Sequence, residues 1–112
     1  MSPAVLHMLL SLVDGVQHGY GLKKAVESRT AGGVKLGPGT LYEAIARLQE
    51  DGWIEQVAAP EALPPGDGQK AQRRYYGLTA RGLTALKAEV ERLGHIVDYA
   101  RSKAALAERE PA

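Results

Sequence analysis

The sequence predicts a mainly α domain with a small two-stranded β-ribbon and a long C-terminal helix, and three observations predict it. Apolar residues recur at helical spacing in three segments of the first half. The pattern turns strand-like at residues 53–57 and again at residues 73–78. From Thr79 onward a seam of Leu, Val and Ala alternates steps of three and four residues.

Residues 3–13 read as the first helix. Pro3 suits a first turn, where its missing N–H would have no partner in any case. Val5, Leu6, Leu9, Leu10 and Val13 keep helical spacing, and Asp14-Gly15 stops the run. Residues 19–29 form the second helix, with Tyr20, Leu22, Ala25 and Val26 as apolar members and His18 or Gly19 at its start. A Gly-rich connection, residues 30–37, carries Lys35. The third helix opens at Gly37-Pro38-Gly39-Thr40, with Gly37 as N-cap and Pro38 at the first helical position. Leu41, Ile45 and Leu48 define its buried face. Thr40, Glu43, Arg47 and Glu50 fall on the opposite one. Asp51-Gly52 ends it, with Gly in the position that favours a left-handed backbone.

The two strands are separated by residues 58–72, rich in Pro, Gly and Ala, too long for a tight turn. They read as a two-stranded ribbon with a mobile tip. Strand alternation puts Tyr75 and Tyr76 on opposite faces, one in the core and one outward. Thr79 is the N-cap of the last helix. Its seam is Leu83, Leu86, Val90, Leu93, Val97, Ala100, Ala104 and Ala107. About 30 helical residues span about 45 Å, longer than the rest of so small a domain is wide. A second copy of the chain is the economical partner for that seam. Residues 1–78 and 79–112 are therefore read as a helix-and-ribbon domain and a dimerisation helix with a short tail. Gly94 interrupts the helix at a cost of about 1 kcal/mol against Ala.

Three helices, a ribbon and a trailing helix are the order of a winged helix-turn-helix. Composition agrees with a single globular domain. The chain has 112 residues, 45% hydrophobic and 24% charged, with no Cys and no Phe. Disulfide scaffolds, thiolate metal sites and Cys nucleophiles are excluded. The three His residues are scattered, and carboxylates are dispersed along helix surfaces. No phosphate loop, zinc spacing or nucleophile elbow occurs. The expectation is a protein that is no enzyme, needs no cofactor or metal, has no membrane partner and is cytoplasmic. Net charge is only +1. Its distribution is more telling: residues 1–68 carry a balance of −3, residues 69–81 carry +4 with no acid, and residues 82–112 are neutral.

Three motifs in order give the chain a resemblance. His18-Gly19-Tyr20-Gly21-Leu22, then Pro38-Gly39-Thr40-Leu41-Tyr42 followed by Leu48, Gly52 and Ile54, then residues 73–82 (RRYYGLTARG), resemble the PadR family of transcriptional regulators over about residues 3–90. The resemblance implies a winged-helix DNA-binding domain that dimerises through its C-terminal helix. It also implies repression relieved by a small molecule, and the single C-terminal helix looks like the compact branch, where small aromatic compounds bind between those helices. Gly37 stands where the family usually has a polar residue, and Gly21 replaces a bulkier one. The C-terminal helix lacks Trp.

Candidate DNA-binding residues follow. The third helix supplies Gly39, where a phosphate meets backbone N–H groups. Thr40 and Tyr42 suit phosphate or sugar, and Glu43 and Arg47 suit base edges. Tyr42 is equally readable as a packing residue. The ribbon supplies Lys70, Arg73 and Arg74, which read as wing contacts or as charges keeping an edge strand soluble. Tyr20 and Lys35 complete the set. Tyr20, Tyr75 and Tyr76 also have structural readings. Trp53, His95, Ile96 and Tyr99 are candidate walls of an effector pocket at the dimer interface. The leading function is a sequence-specific, DNA-binding repressor released by a small aromatic effector, acting as a homodimer on a double-stranded operator. The alternative is a winged-helix module that holds a protein partner without DNA.

Overall fold

The computed structural model describes residues 1–60 and 73–108, the last five by backbone alone. Its elements are α1 (Pro3–Val13), β1 (Gln17–His18), α2 (Gly19–Arg29), α3 (Pro38–Glu50), β2 (Ile54–Val57), β3 (Tyr75–Leu78) and α4 (Ala80–Glu108). The winged helix-turn-helix expectation holds, with one addition. The sheet has three antiparallel strands in the order β1-β3-β2. The added strand is only Gln17 and His18, too short to leave a periodic trace.

The helix starts follow local backbone chemistry. Ser2 Oγ accepts from the Val5 N–H at 3.2 Å, and Pro3 opens α1. His18 Nδ1 accepts from the Gly21 N–H at 2.9 Å and caps α2. Gly37 precedes Pro38 at α3 with no side-chain cap. Thr79 Oγ1 accepts from the Gly82 N–H at 3.0 Å and caps α4. Between α2 and α3 the chain turns through Ala31 and Gly32, both at positive φ, and the Gly32 N–H donates to Glu27 O at 2.8 Å. Thr30 Oγ1 donates to Val26 O and accepts from the Val34 N–H, holding both ends of that turn.

The core lies among α1, α2, α3, the sheet and the first turns of α4. Met8, Leu9, Leu22, Val26 and Leu36 are essentially inaccessible, and Leu41, Ile45, Leu48 and Ile54 close around them. Burying each such side chain contributes about 1.5–3 kcal/mol. Arg29 laces α2 to α1 by donating to His7 O and Ser11 Oγ.

Two sequence expectations are corrected. Tyr75 and Tyr76 are both buried, each 4% exposed, so neither faces outward. Tyr76 joins the core. Tyr75 lies between its cross-strand neighbours Val57 on β2 and His18 on β1, and the His18 ring meets it edge-on at 5.6 Å. The unforeseen strand supplies that second wall. The strand also starts later than expected, at Tyr75, leaving Arg73 and Arg74 at its threshold. The second correction concerns the seam. Leu86 is 3% exposed and belongs to the chain's own core, so it is not on a free face.

The rest of the seam runs outward. Val90 and Val97 are about half exposed, Leu83 and Ala100 are exposed, and Leu93 is partly covered. Ala104 lies on α4 beyond the described side chains. The helix of 29 residues extends about 44 Å, in a molecule 62 Å long and 27 Å wide.

Two features of α4 set its stability. Gly82 packs so closely that a Cβ there would overlap the Trp53 carbonyl oxygen and crowd Leu78. Gly82→Ala should destabilise the fold by about 3 kcal/mol, read as a lower midpoint in urea unfolding with an unchanged slope. Glu89 is nearly buried and takes two bonds from Arg92, at 2.7 and 2.9 Å, with the Met1 amino group at 3.3 Å. The Arg92 hydrogen bonds hold its carboxyl down at about 2, against an ordinary 4.5. A depressed carboxylate stabilises the fold fully above the unfolded value and loses that contribution as pH falls through the folded one. Glu89→Gln should therefore be less stable than the natural chain at neutral pH. The difference should shrink between about pH 4.5 and 2, followed by thermal melts across that range.

Candidate nucleic-acid interface

The exposed face of α3 and the base of the wing meet across an open hollow of about 470 Å³. Its walls are His18, Gly19, Tyr20, Tyr42, Arg73, Arg74 and Tyr76. The wall residues arrive from β1, α2, α3 and from β3 with the two residues before it. Tyr20 stands in the first turn of α2, half exposed, and Tyr42 in the first turns of α3, 60% exposed. Gly19 separates them. A methyl group there would touch the Tyr42 ring at 3.6 Å and Ile45 at 3.7 Å, so the helices approach to ordinary contact across it. Arg73 and Arg74 come in from the start of β3.

The exposure of Tyr42 decides one open reading. Its ring is not part of the core, and it lines the hollow shared with the wing. Tyr20 is fixed by its neighbours. The His18 ring lies parallel to it, 2° between planes and 6.4 Å between centroids, and the Lys24 ammonium sits 5.4 Å from its centroid. Cation–π contact at such an exposed ring contributes about 0.5–1 kcal/mol. Arg73 Nη1 stands 3.1 Å from His18 Nε2.

The expected site residues thus fall into groups. Tyr20, Tyr42, Arg73 and Arg74 come together around the hollow. Gly39, Thr40 and Glu43 are exposed on the first turns of α3. Lys35 is exposed in the connection before it, apart from the hollow walls. Arg47 turns elsewhere. It is five residues from Tyr42, about 140° around the helix. There it borders a second hollow of about 350 Å³ with Met1, Ser2, Val5, Ala44, Leu48, Asp51 and Trp53. Lys70 lies outside the described residues.

Within one chain the four residues expected to wall an effector pocket at the dimer interface lie in two places. Trp53 packs beside the start of α4, its carbonyl against Gly82. His95 is 13 residues further along that helix, about 20 Å away by helical rise. His95, Ile96 and Tyr99 are exposed on the distal half of α4, and Trp53 does not join them.

Sequence reasoning placed His18 only at a helix start. The structure puts it at the centre of the site, touching Gly21, Tyr20, Tyr75 and Arg73. A His before a Gly at a helix N-cap was the available signal, but its partners lie far along the chain.

A three-helix domain with a short sheet, a wing at its edge and a long last helix is the architecture of winged-helix transcription regulators. The PadR-like family of transcriptional regulators matches residues 6–88, and the chain belongs to that family. Solved structures agree in fold. A PadR-like transcriptional regulator from Bacillus cereus superposes with a TM-score of 0.71 at 21% identity, over 89% of each chain. A PadR family regulator from Clostridium difficile gives 0.71 at 21% identity, over 92% of this chain and 99% of the other. In sequence, 93 residues are 32% identical to an uncharacterised 37.1 kDa protein of a Streptomyces fradiae transposon. This chain spans 83% of its own length in that match and 24% of the relative's. Among the described residues no helix is long and apolar enough to cross a membrane.

Proposed function

We propose that this transcription regulator is a sequence-specific repressor that binds a double-stranded operator in the cytoplasm as a homodimer. The observation that carries the reading is the convergence of Tyr20, Tyr42, Arg73 and Arg74 on one open hollow beside the exposed start of α3. Hydroxyls and guanidinium groups of that kind position a duplex by its phosphates. The exposed face of α3, with Glu43 and Arg47, then lies against base edges. Residues 1–78 carry the DNA contacts and residues 79–112 the pairing of two copies. Leu86 is excluded from that pairing, and the exposed stretch with Val90, Leu93, Val97 and Ala100 forms the seam.

A small aromatic effector fits this arrangement in the hollow beside Trp53. The indole forms one wall and Arg47 of α3 another, so a ligand there presses directly on a reading side chain. To relieve repression it must bind better to the arrangement that does not hold DNA.

The test is an electrophoretic shift on the chain's own promoter across a range of salt. DNA binding gives a steep loss of affinity with salt, whereas a flat response points to a protein-binding module. Arg73→Ala should weaken binding to all sequences and reduce the salt slope by about 1. Arg47→Ala should cost roughly 1–3 kcal/mol more on the operator than on random DNA; equal losses would make Arg47 a positioning contact. Repeating the shift with a planar aromatic acid, while following Trp53 emission, tests the effector.

Pairing is checked separately. Replacing Val90 and Val97 together with Lys should give monomers in sedimentation, with an unchanged far-ultraviolet spectrum because neither side chain is in the core. A dimer that survives this change would place the interface elsewhere.

A further inference from the structure

We propose, resting on the DNA-binding reading above, that Glu43 sets the base preference of the operator by accepting from a cytosine at one position of the half-site. Glu43 stands at the middle of the outer face of α3. It lies about 100° around the helix from Tyr42, which lines the large hollow, and about 40° from Arg47, which lines the hollow beside Trp53. Its neighbours on that face, three and four residues away, are Gly39, Thr40, Ala46 and Arg47. All four are exposed, as is Glu43 itself. No long side chain other than Arg47 stands beside the carboxylate.

The two charges of this face are also unspent. Glu followed four residues later by Arg is the favourable order for an ion pair along a helix. Lys23 and Glu27 form a pair at that spacing, 3.6 Å apart, and Glu89 holds Arg92 at 2.7 Å. Among the described residues, neither the Glu43 carboxylate nor the Arg47 guanidinium has a hydrogen bond or an ion pair. Both heads keep their full bonding capacity for a partner.

A carboxylate selects a base largely by exclusion, because it accepts and cannot donate. In the major groove guanine presents two acceptors, N7 and O6, and thymine presents the acceptor O4 with a methyl group. Both repel it. Adenine offers its N6 amino group with the N7 acceptor beside it. Cytosine offers the N4 amino group with no acceptor next to it on that edge. Phosphates repel the same carboxylate, so Glu43 weakens binding to every duplex and recovers the loss where a cytosine stands opposite. Specificity arises from that difference between sites. Arg47 has the opposite chemistry, five donors and no acceptor, and suits N7 and O6 of guanine. Four residues along a helix rise about 6 Å, and stacked bases are about 3.4 Å apart. The cytosine and the guanine therefore fall within about two base pairs of each other.

Selection of bound duplexes from a random-sequence library, with the full chain, tests the assignment. Glu43→Gln keeps the size of the side chain, and its amide carries a donor and an acceptor that fit N7 and N6 of adenine. The natural chain should enrich a motif with a cytosine position and a guanine position within about two base pairs. Glu43→Gln should convert the cytosine to adenine, Glu43→Ala should erase the preference there, and both should leave the other positions alone. On two duplexes differing at that single base pair, the natural chain should favour cytosine about tenfold, and Glu43→Gln should favour adenine. Both variants should bind random duplex at least as well as the natural chain, because a negative charge facing phosphates is gone. Both should melt within a few degrees of it, since the side chain is exposed. A motif that is the same in all three chains overturns the proposal and leaves the DNA-binding reading standing. Weaker binding of both variants to random duplex overturns it too, because Glu43 would then support the general contact. So does duplex binding by the natural chain with no enriched motif. If the natural chain binds no duplex, the DNA-binding reading fails and the base preference fails with it.

Discussion

The close approach of Gly82 to the Trp53 carbonyl sets the geometry on which the rest of the molecule depends. At that point the end of α3, the start of β2 and the first turn of α4 touch, and only a residue without a side chain fits. Thr79 reinforces the junction from both sides. Its hydroxyl donates to Gly52 O at 2.6 Å and accepts from the Gly82 N–H, while its own N–H donates to Trp53 O at 3.1 Å. Backbone groups that a helix end and a strand end leave unpaired are satisfied on one another. The direction of α4 is thereby locked to that of α3. In the proposed dimer, a long helix leaving a small body at a fixed angle would give the two copies a defined separation of their third helices.

A second constraint acts at the other side of the sheet. The two residues of β1 bring the start of α2 against the central strand. Their ladder is too short to hold by itself, and side chains carry the joint. His18 caps one element and packs on another, and Tyr75 is buried as a result. The wing is thus tied to the helix-turn-helix by an aromatic contact as well as by the pairing of β3 with β1. Fold and site share the same residues here, because the histidine that closes the helix end also faces the arginine at the wing's base.

The division of α4 into two regimes is a matter of burial. Its first turns carry Leu86 and Glu89 into the body, where the carboxylate is paired with Arg92 and nearly closed off from solvent. Beyond Arg92 every described side chain except Leu93 is exposed. A seam that is even in sequence is therefore divided in the structure, into the chain's own core first and an exposed face after it.

Local sequence chemistry fixed the helices and where they begin. Pro3, Gly37-Pro38, Asp51-Gly52 and Thr79 act through their own backbone conformation or the nearest amides, and the helical and strand periods come from neighbouring residues. The helix boundaries of α1, α2 and α3 and the resemblance to the family were legible for that reason, as was the gathering of positive charge before β3. Tertiary structure decided what depends on partners far along the chain. His18 and Arg73 meet across 55 residues, and no local pattern marks a two-residue strand that makes them neighbours. The burial of Tyr75 follows from that strand, while Tyr76 belongs to the core, and the central place of His18 follows from the strand too. The turn of Arg47 away from Tyr42, and the distance between Trp53 and the far half of α4, follow from how rigid helices pack. Spacing along a sequence specifies a face of a helix; which neighbour that face meets is set by the packing of the whole domain.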